Sequence, residues 1–480
     1  MQENIAFMTA LQAAEQIRTG SISSEQLVQA VLRQIEKYNN EINAVVTLDR
    51  SGALEQARKA DHTPVSEAGD KQLWGVPVTI KDFLKTSGIR STASHKPYKD
   101  YVPEEDATVV GRLKKAGAII LGKTNMPELA MDCQTDSPLF GRTDNPWDRS
   151  RTPGGSSGGA AAAVASGMSF MDIGNDLLGS VRIPSHFCGI YGMVPTEKLI
   201  PNTGLLLENS GSDVMGKMMR IGLMARSIED LKAGLEIVSG PDHQEADGLS
   251  IKQIAYRAPV PDRLRIAWAC DAGGLQVSEE VNTAIGAFIS KLSGNGHIVE
   301  KIGQSDFDFN ASRTTFLSLF YPVLASGIPS LIRWVARYLG GARYFDLSLK
   351  RYFTAEKTRS NLIAQLETLF YDYDILLCPV TATPAFPHMK PDRYAGLNPV
   401  YKKKICMQGR EFGYAEANMG FTIPFSVTGN PVVTLPVGLS SDGLPVGIQV
   451  IGRRYHDIKL LDIASVLSCI AGKLNYPCNE

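Results

Sequence analysis

Two serines stand within a run of four glycines at residues 151–160, which read Arg-Thr-Pro-Gly-Gly-Ser-Ser-Gly-Gly-Ala. Glycine loses more conformational freedom on folding than any other residue, so four of them in one loop require a reason, such as positive φ or a close backbone approach. The small residues 160–165 that follow predict a helix, whose first N–H groups would point at one spot. Serines on such a loop could act as nucleophiles beside an oxyanion site.

Two other interpretations of this glycine run involve no catalysis. A tight turn before an alanine-rich helix explains the same residues. A phosphate-binding loop is a weaker interpretation, because the run lacks the lysine that follows the last glycine of such loops. The catalytic interpretation differs from both in requiring a base near the serines.

Neither histidine nor cysteine offers an obvious partner for a catalytic serine. None of the histidines stands in a recognisable triad signature, and His186 and His388 lie in apolar, proline-flanked turns that favour a packing role. Cys188 is more typical of a buried structural thiol. The histidines are residues 62, 95, 186, 243, 297, 388 and 456.

Lysine is the remaining candidate base, and Lys81 follows the apolar stretch 75–80. Burial at the end of such a strand would lower the pKa of Lys81, and a neutral amine can accept a proton. The competing interpretation is an ordinary ion pair with Asp82 at a strand end. The residues alone leave both open.

The elements that would position these residues alternate between strand and helix. The stretch 75–80 predicts a buried strand, residues 106–115 a helix that Gly117 ends, residues 118–121 a second strand, and residues 170–173 a third. This alternation predicts an α/β fold with a largely parallel sheet, in which sites form beyond the carboxyl ends of the strands. Lys81, the 123–125 loop and the 175–180 loop each follow one of these strands.

The rest of the chain predicts further elements of one large domain. Helices are expected at 9–18 and at 24–37, where Ser23 and Gln26 form a capping box. Another strand–helix–strand unit is expected at 264–305, a helical segment at 313–370, and a hairpin around Asp442-Gly443. No Pro/Ser-rich linker separates these units. We expect one domain over 1–480, with N-terminal helices at 1–60, a catalytic core at 61–240, a substrate-shaping helical segment at 306–370, and the C-terminal part of the sheet at 371–480.

Composition excludes several other classes of protein. The 480 residues carry a net charge of −1, which provides no basic field for nucleic acid. The seven cysteines are scattered without a C-x-x-C pair, which indicates reduced thiols and no zinc site. The N-terminus does not resemble a signal peptide, and no run of 18 apolar residues predicts a membrane span. We therefore expect a cytoplasmic protein.

Several long motifs, in order along nearly the whole chain, resemble the amidase signature hydrolases. They lie at residues 75–82, 106–110, 122–128, 145–148, 151–159, 179–184, 224–230, 421–425 and 443–447. The resemblance implies a single large α/β domain, with a central mixed, mostly parallel twisted sheet covered by helices on both faces. It also implies hydrolysis of a small-molecule amide through an acyl-enzyme, without metal or cofactor. A homodimer is compatible with it, and no nucleic-acid partner is implied.

Matched motif by motif, the resemblance implies a Ser–cis-Ser–Lys triad. Ser180 is then the nucleophile, Ser156 is the bridging serine after a cis peptide bond with Gly155, and Lys81 is the base. Ser157 resembles a helper that forms a hydrogen bond within the site. The remaining implied groups are the oxyanion donors, which are the backbone N–H groups of Leu177, Leu178, Gly179 and Ser180, and the carbonyl of Ala130, which would receive the leaving amide N–H.

This chain departs from the family pattern beside the nucleophile. The family usually has Thr-Asp-x-Gly-Gly-Ser, whereas this chain has Asn175 at the first position and Leu178 at the fourth. If that fourth position needs positive φ, leucine would strain it. Leu223 stands where proline is usual, and Asp172 lies in an otherwise apolar strand.

Two alternative functions remain open at this point. The glutaminase subunit of a tRNA-dependent amidotransferase shares the motifs, but it usually carries glutamine where this chain has Ile183. A non-catalytic amidase-like binding protein is suggested by Leu178 and Asn175.

The residues also suggest an apolar acyl group on the substrate. Leu177 and Leu178 adjoin the nucleophile, and the segments 316–324 and 331–339 are rich in large apolar side chains. Those two segments are equally typical of plain core.

Overall fold

The fold is described from a computed structural model, which covers residues 5–206, 218–245, 248–250, 259–271, 273–326, 348–395 and 398–479. The helices are α1 (Ala10–Arg18), α2 (Ser24–Ile42), α3 (Arg50–His62), α4 (Val65–Ala68), α5 (Thr108–Lys115), α6 (Gly158–Ala165), α7 (Arg182–Cys188), α8 (Ile228–Val238), α9 (Glu279–Gly294), α10 (Phe309–Ser326), α11 (Leu349–Asp372), α12 (Tyr414–Met419), α13 (Ile423–Thr428) and α14 (Asp457–Ala471).

The strands are β1 (Val45–Leu48), β2 (Pro77–Lys81), β3 (Ile119–Thr124), β4 (Asp136–Ser137), β5 (Gly141–Arg142), β6 (Met171–Asp176), β7 (Tyr191–Val194), β8 (Arg220–Ala225), β9 (Arg265–Trp268), β10 (Ile298–Lys301), β11 (Ile375–Pro379), β12 (Arg393–Ala395), β13 (Asn398–Val400), β14 (Ile405–Met407), β15 (Arg410–Phe412), β16 (Val432–Leu439) and β17 (Pro445–Ile451). Short 3-10 turns lie at Ile5–Phe7, Lys96–Tyr98 and Glu128–Ala130.

Within these residues, an eleven-stranded sheet runs in the order β1-β3-β2-β6-β8-β7-β16-β17-β11-β9-β10. The predicted α/β fold with a mixed sheet is confirmed. The expectation of mostly parallel pairing is wrong, since only β3–β2, β2–β6, β11–β9 and β9–β10 are parallel and the other six neighbouring pairs are antiparallel. The β16–β17 hairpin accounts for one of these antiparallel pairs, because its short connection permits only antiparallel pairing, and the other five join strands that long stretches of chain separate.

The parallel trio β3–β2–β6 lies at the centre of the predicted catalytic core. Every residue of these three strands is buried. Successive side chains of a strand point to opposite faces, so both faces of this part of the sheet must be covered. The three strands run in one direction, and Lys81, Asn125 and Asp176 therefore reach the same edge of the sheet.

The N-terminal helices α1 and α2 form largely as predicted. Ser23 accepts a hydrogen bond from the Gln26 N–H, and the Gln26 side chain accepts one from the Ser23 N–H. The predicted apolar face of α2 is buried. The helix continues past the predicted end at residue 37 to Ile42, where Asn43 adopts the left-handed conformation with φ 55°.

The second half of the chain contains the predicted strand–helix–strand unit as β9, α9 and β10, with β9 and β10 parallel. The helical segment expected at 313–370 corresponds to α10 and α11, and its part at 331–339 lies outside the described residues. The predicted hairpin forms from β16 and β17, with Gly443 in the turn at φ 75°. None of the described helices combines the length and apolar character that crossing a membrane requires.

Candidate active site

Lys81, the last residue of β2, has a fully buried side chain. Its Nζ is hydrogen-bonded to Oγ of Ser156 at 2.6 Å. Burial lowers the pKa of Lys81 to about 7, although the carboxylates of Asp176 and Asp172 act to raise it. A large fraction of Lys81 is therefore neutral near pH 7 and able to accept a proton.

The loop that carries Ser156 requires glycine because other backbone approaches it closely. The Gly155–Ser156 peptide bond is cis, as the resemblance implies. A Cβ on Gly155 would lie 2.7 Å from the carbonyl oxygens of Asp132 and Gln134. Thr135 ties this loop down, since its Oγ1 donates to the Gly154 carbonyl at 2.9 Å.

The same geometry bears on the phosphate-cradle interpretation. The first two N–H groups of α6 already have protein acceptors, because Gly158 donates to Thr135 Oγ1 at 3.1 Å and Gly159 donates to the Asn125 carbonyl at 3.2 Å. The helix is buried along its whole length. This helix N-terminus is therefore used in packing against the loop after β3.

Ser180 follows β6 on a turn that Asp176 organises. Asp176 accepts hydrogen bonds from the N–H groups of Gly179 at 2.8 Å and Val181 at 3.0 Å, and from Arg182 Nη2 at 2.7 Å. Burial alone would raise the pKa of Asp176, but the charge of Arg182 and its hydrogen bonds lower it to about 2. The Ser157 N–H donates to the Ser180 carbonyl at 3.1 Å, so the two serine loops are in direct contact.

Leu178 fits this turn without backbone strain. The left-handed conformation falls on Gly179, with φ 115°, and Leu178 does not have a positive φ. A Cβ on Gly179 would lie 2.8 Å from Thr422 Oγ1, and Thr422 also donates to the Leu178 carbonyl at 2.5 Å. Leu177 and Leu178 are half-buried beside Ser180.

Of the four N–H groups that the resemblance implies as oxyanion donors, the Gly179 N–H is engaged by Asp176. Ser157 offers a donor of a different kind, its side-chain hydroxyl. Its side chain is fully buried, and its Oγ has no hydrogen-bond partner among the described residues. Ser157 Oγ lies 2.7 Å from the place where a Cβ on Gly174 would stand, so glycine at 174 leaves room for the hydroxyl.

Ala130 lies in a stretch of unusual backbone. Leu129 and Ala130 have positive φ, at 50° and 63°, and so do Ala93 and Ser94, at 49° and 56°. The Leu129 N–H donates to the Ala93 carbonyl at 2.9 Å, which joins the two strained segments. Non-glycine residues in this region cost free energy, and they concentrate where geometry serves a function.

Sequence reasoning missed a cluster centred on Asp132. Tyr401 and Tyr414 donate to the two carboxylate oxygens of Asp132 at 2.5 and 2.6 Å. Burial raises the pKa of Asp132 to about 6. Next to it lies a cavity of about 470 Å³ between Met131 and Met389. The only sequence signal was an acid two residues after Ala130, since the tyrosines lie far along the chain, at 401 and 414.

The histidine and cysteine near the nucleophile have structural surroundings. His186 is buried and its Nδ1 accepts a hydrogen bond from the Gly447 N–H at 2.6 Å. Burial lowers the pKa of His186 to about 4, so the ring is neutral. Burial raises the pKa of Cys188 far above neutrality, which makes that thiol a poor nucleophile.

A family model described as Amidase matches residues 26–461 of this sequence. The chain belongs to the amidase family. Its fold and motifs are those of the amidase signature enzymes, which hydrolyse carbon–nitrogen bonds of amides, and it is a hydrolase of this class.

Individual relatives cover nearly the full length of the chain. A glutamyl-tRNA(Gln) amidotransferase subunit of Moorella thermoacetica is 32% identical over 491 residues, covering 95% of each chain. The structure of 6-aminohexanoate cyclic dimer hydrolase with substrate is similar at TM-score 0.80 and 26% identity, covering 99% of this chain and 100% of that one. The structure of the corresponding amidotransferase subunit of Thermotoga maritima is similar at TM-score 0.76 and 27% identity, covering 99% and 98%.

Proposed function

We propose that this protein is an amidase that cleaves a carboxylic amide through an acyl-enzyme on Ser180. The observation that carries the proposal is the 2.6 Å hydrogen bond between buried Lys81 and Ser156. The hydrogen bond from the Ser157 N–H to the Ser180 carbonyl supports the proposal, since it joins the loop of the proposed nucleophile to the loop that carries Ser156. A neutral lysine, a bridging serine and a half-buried serine are the parts that a Ser–Ser–Lys mechanism requires.

In the proposed reaction, neutral Lys81 takes the proton of the Ser156 hydroxyl while Ser156 takes the proton of Ser180. The Ser180 oxygen forms a bond to the amide carbon. The oxyanion is held by the backbone N–H groups of Leu177, Leu178 and Ser180. The proton returns through Ser156 to the leaving nitrogen as the C–N bond breaks, and water then cleaves the acyl-enzyme.

Two further groups have supporting roles in the proposal. The Gly179 N–H holds the turn through Asp176 instead of the oxyanion. Ser157, whose buried hydroxyl has no partner among the described residues, donates to the reacting serines during turnover. The Ala130 carbonyl receives the leaving N–H, and its positive φ fixes the direction of that carbonyl.

Labelling with a fluorophosphonate probe tests the proposed nucleophile without knowledge of the substrate. We expect one probe per chain in the parent and none in Ser180→Ala. Ser150→Ala is a matched control, since Ser150 is an exposed serine in the loop before the glycine run at residues 151–160. Full labelling of Ser180→Ala would rule out the proposed nucleophile.

We propose an apolar acyl group for the substrate. The support comes from Leu177 and Leu178, which stand half-buried beside Ser180. Phe316 and Leu319 are buried in the core, so the plain-core interpretation applies to both of them. The assignment of 306–370 as a substrate-shaping segment and the cytoplasmic location remain proposals, the latter supported by seven free cysteines.

A second candidate is the glutaminase subunit of a tRNA-dependent amidotransferase, which the names of the relatives favour. One observation weighs against it. Ile183, where that subunit usually has glutamine, is buried beside Gly179.

The two candidates separate in a purification experiment. The amidase proposal predicts amide hydrolysis by the isolated chain. Co-purification with a tRNA-binding protein, together with glutaminase activity that depends on that partner, would favour the second candidate. A non-catalytic binding role is a third candidate, and failure of the parent to react with the probe would favour it. Leu178 was one reason to consider this role, and that reason is weakened because the Leu178 backbone is not strained.

A further inference from the structure

Asp172 is a buried carboxyl group that the proposed reaction does not use. It lies on β6 opposite Thr79 of β2, and these strands are parallel, so the two side chains share one face of the sheet. Lys81 is two residues beyond Thr79 and starts from the same face. The shared face is confirmed by the hydrogen bond from Thr79 Oγ1 to Asp172 Oδ2, at 2.6 Å.

The Asp172 carboxyl is fixed on one side and open on the other. Oδ2 also accepts a hydrogen bond from Thr124 Oγ1 at 3.0 Å. Oδ1 is buried and has no partner among the described residues. A buried carboxyl with one unsatisfied oxygen is costly, so its presence calls for a function.

Neighbouring charged groups are already committed elsewhere. The Lys123 amino group donates to the Leu84 carbonyl, to Thr86 Oγ1 and to Ser91 Oγ, which uses all three of its donors. Asp176, the other carboxylate acting on Lys81, is bound by Arg182 through two hydrogen bonds. Asp172 is thus the carboxyl near Lys81 whose charge is least compensated by hydrogen-bonded cations.

We propose that Asp172 is a positioning residue that supplies the counter-charge for the ammonium group formed when Lys81 accepts the proton of Ser156. This inference rests on the proposed serine mechanism. No net proton is consumed: the N–H bond formed on Lys81 replaces the O–H bond lost at Ser180, and it breaks again when the leaving nitrogen is protonated. The carboxylate stabilises the cation during the interval between these two transfers.

The charges that act on this pair come from few elements. Burial lowers the pKa of Lys81 to about 7, and Asp176 and Asp172 on β6 act to raise it. Burial raises the pKa of Asp172 to about 7, and the hydrogen bonds from Thr79 and Thr124 and the charges of Lys123 and Lys81 act to lower it, so Asp172 is the counter-charge in its ionised form. Helix α6, which packs on β2, has no titratable side chain. Helix α2 turns its buried apolar face toward the body, and its charged residues are exposed or half-buried. Asp82 acts on Lys123 and not directly on Lys81.

The direction in which the pKa of Lys81 should change follows from the negative charge of Asp172. Asp172→Asn keeps the shape of the side chain and removes the negative charge, so the Lys81 ammonium becomes less favourable. The pH at which Ser180 becomes reactive should fall by roughly one unit, as for loss of one nearby opposite charge. The plateau rate should fall by about tenfold or less, since a weaker base takes the proton less readily.

The test is the rate of fluorophosphonate labelling of Ser180 as a function of pH in the parent, Asp172→Asn and Asp82→Asn. We expect the midpoint of the acid limb to move down in Asp172→Asn and to stay in place in Asp82→Asn, the matched buried aspartate. A purely structural role for Asp172 would lower stability or the plateau without moving the midpoint. An unchanged or raised midpoint in folded Asp172→Asn overturns the inference.

A second measurement separates this inference from the serine mechanism. Lysine labelled with ¹³C and ¹⁵N allows direct NMR titration of Lys81, whose signal is assigned by its loss in Lys81→Met. If the parent does not react with the probe, the serine mechanism fails, and a lower Lys81 pKa in Asp172→Asn still supports the charge coupling. If Asp172→Asn does not fold, Thr124→Val provides the test, because it removes a hydrogen bond that stabilises the ionised form of Asp172. We expect the midpoint to fall by less than is expected for Asp172→Asn, and no movement overturns the inference.

Discussion

Lys81 and Lys123 lie on neighbouring parallel strands, β2 and β3, and both side chains are fully buried. Burial lowers the pKa of Lys81 to about 7 and that of Lys123 to about 8. Their hydrogen bonds differ. Lys123 donates to three protein acceptors, whereas Ser156 is the hydrogen-bond partner of Lys81 in the described structure.

The difference indicates that a lowered pKa does not by itself make a lysine a base. The three acceptors around Lys123 favour its charged form and hold it as a structural cation beside Asp82. The site around Lys81 offers one hydroxyl, which can pass on a proton. Lys81, the proposed base, thus differs from Lys123 in its incomplete set of hydrogen-bond partners.

The largest expected effect is on turnover, which should be lost when Lys81 is replaced and retained in folded protein when Lys123 is replaced. Ser180→Ala should lower kcat/KM by about 10⁴-fold or more, and Lys81→Met or Ser156→Ala by about 10²–10⁴-fold. Folded Lys123→Met should keep the same acid limb of the pH–rate profile as the parent protein. The measurement is hydrolysis of a chromogenic amide, with loss of activity corrected for the folded fraction.

Lys123→Met also serves as the test of the comparison itself. If Lys123→Met removes activity and probe labelling in fully folded protein as Lys81→Met does, the two lysines are not distinct in role.

A second effect should run in the opposite direction, on stability. Lys123→Met leaves the Leu84 carbonyl and the Thr86 and Ser91 hydroxyls without their donor, and each buried polar group left unsatisfied costs about 1–3 kcal/mol in free energy of unfolding. Lys81→Met removes one hydrogen bond of a lysine that is largely neutral, which costs about 1 kcal/mol. Urea unfolding at pH 7.5 measures both. Equal losses in the two variants would contradict the assignment of Lys123 as the structural cation.

Much of this contrast could be predicted from the sequence, but not all of it. The apolar stretch before Lys81 and the glycines around Ser156 are local features, so the strand and the loop could be predicted from them, while the triad stays a prediction that rests on the family motifs. The satisfied state of Lys123 could not, because its acceptors Leu84, Thr86 and Ser91 lie on a loop whose path depends on tertiary contacts.

The cluster around Asp132 and the direction of the central strands illustrate the same limit. Tyr401 and Tyr414 reach Asp132 from the far end of the chain, where no periodicity links them. The mostly parallel sheet was extrapolated from the βαβ rhythm of the first part. The antiparallel strands β8, β7, β16 and β17 enter through connections that the rhythm does not describe.

A third expected effect is on the pH dependence of the free energy of unfolding, in which Lys81 and Lys123 should differ. The pKa of Lys81 is lower in the folded protein than its ordinary value of 10.5, so between about pH 7 and 10.5 the unfolded chain binds more protons. The contribution of Lys81 to the free energy of unfolding therefore rises with pH in that window, by up to about 1.4 kcal/mol per unit. Lys81→Met should flatten the pH dependence from about 7, and Lys123→Met from about 8. Urea unfolding at pH 7.5, 8.5 and 9.5 tests this; a slope unchanged in Lys81→Met would contradict the lowered pKa.

The smallest expected effect concerns the proposed apolar contact between the acyl group and Leu177 and Leu178. Each methylene that the acyl group buries against Leu177 and Leu178 should stabilise the complex by about 0.8 kcal/mol, or about fourfold in kcat/KM. A panel from acetamide to hexanamide, with benzamide added, measures the slope. Leu178→Gly, which restores the residue usual in the family, should reduce the slope while leaving the acid limb in place, because glycine removes the contact and not the base. A slope that is flat or falling in the parent would reject the apolar acyl group and leave the assignment of Lys81, Ser156 and Ser180 intact, since the proposed reaction takes place at the carbonyl that every member of the panel shares.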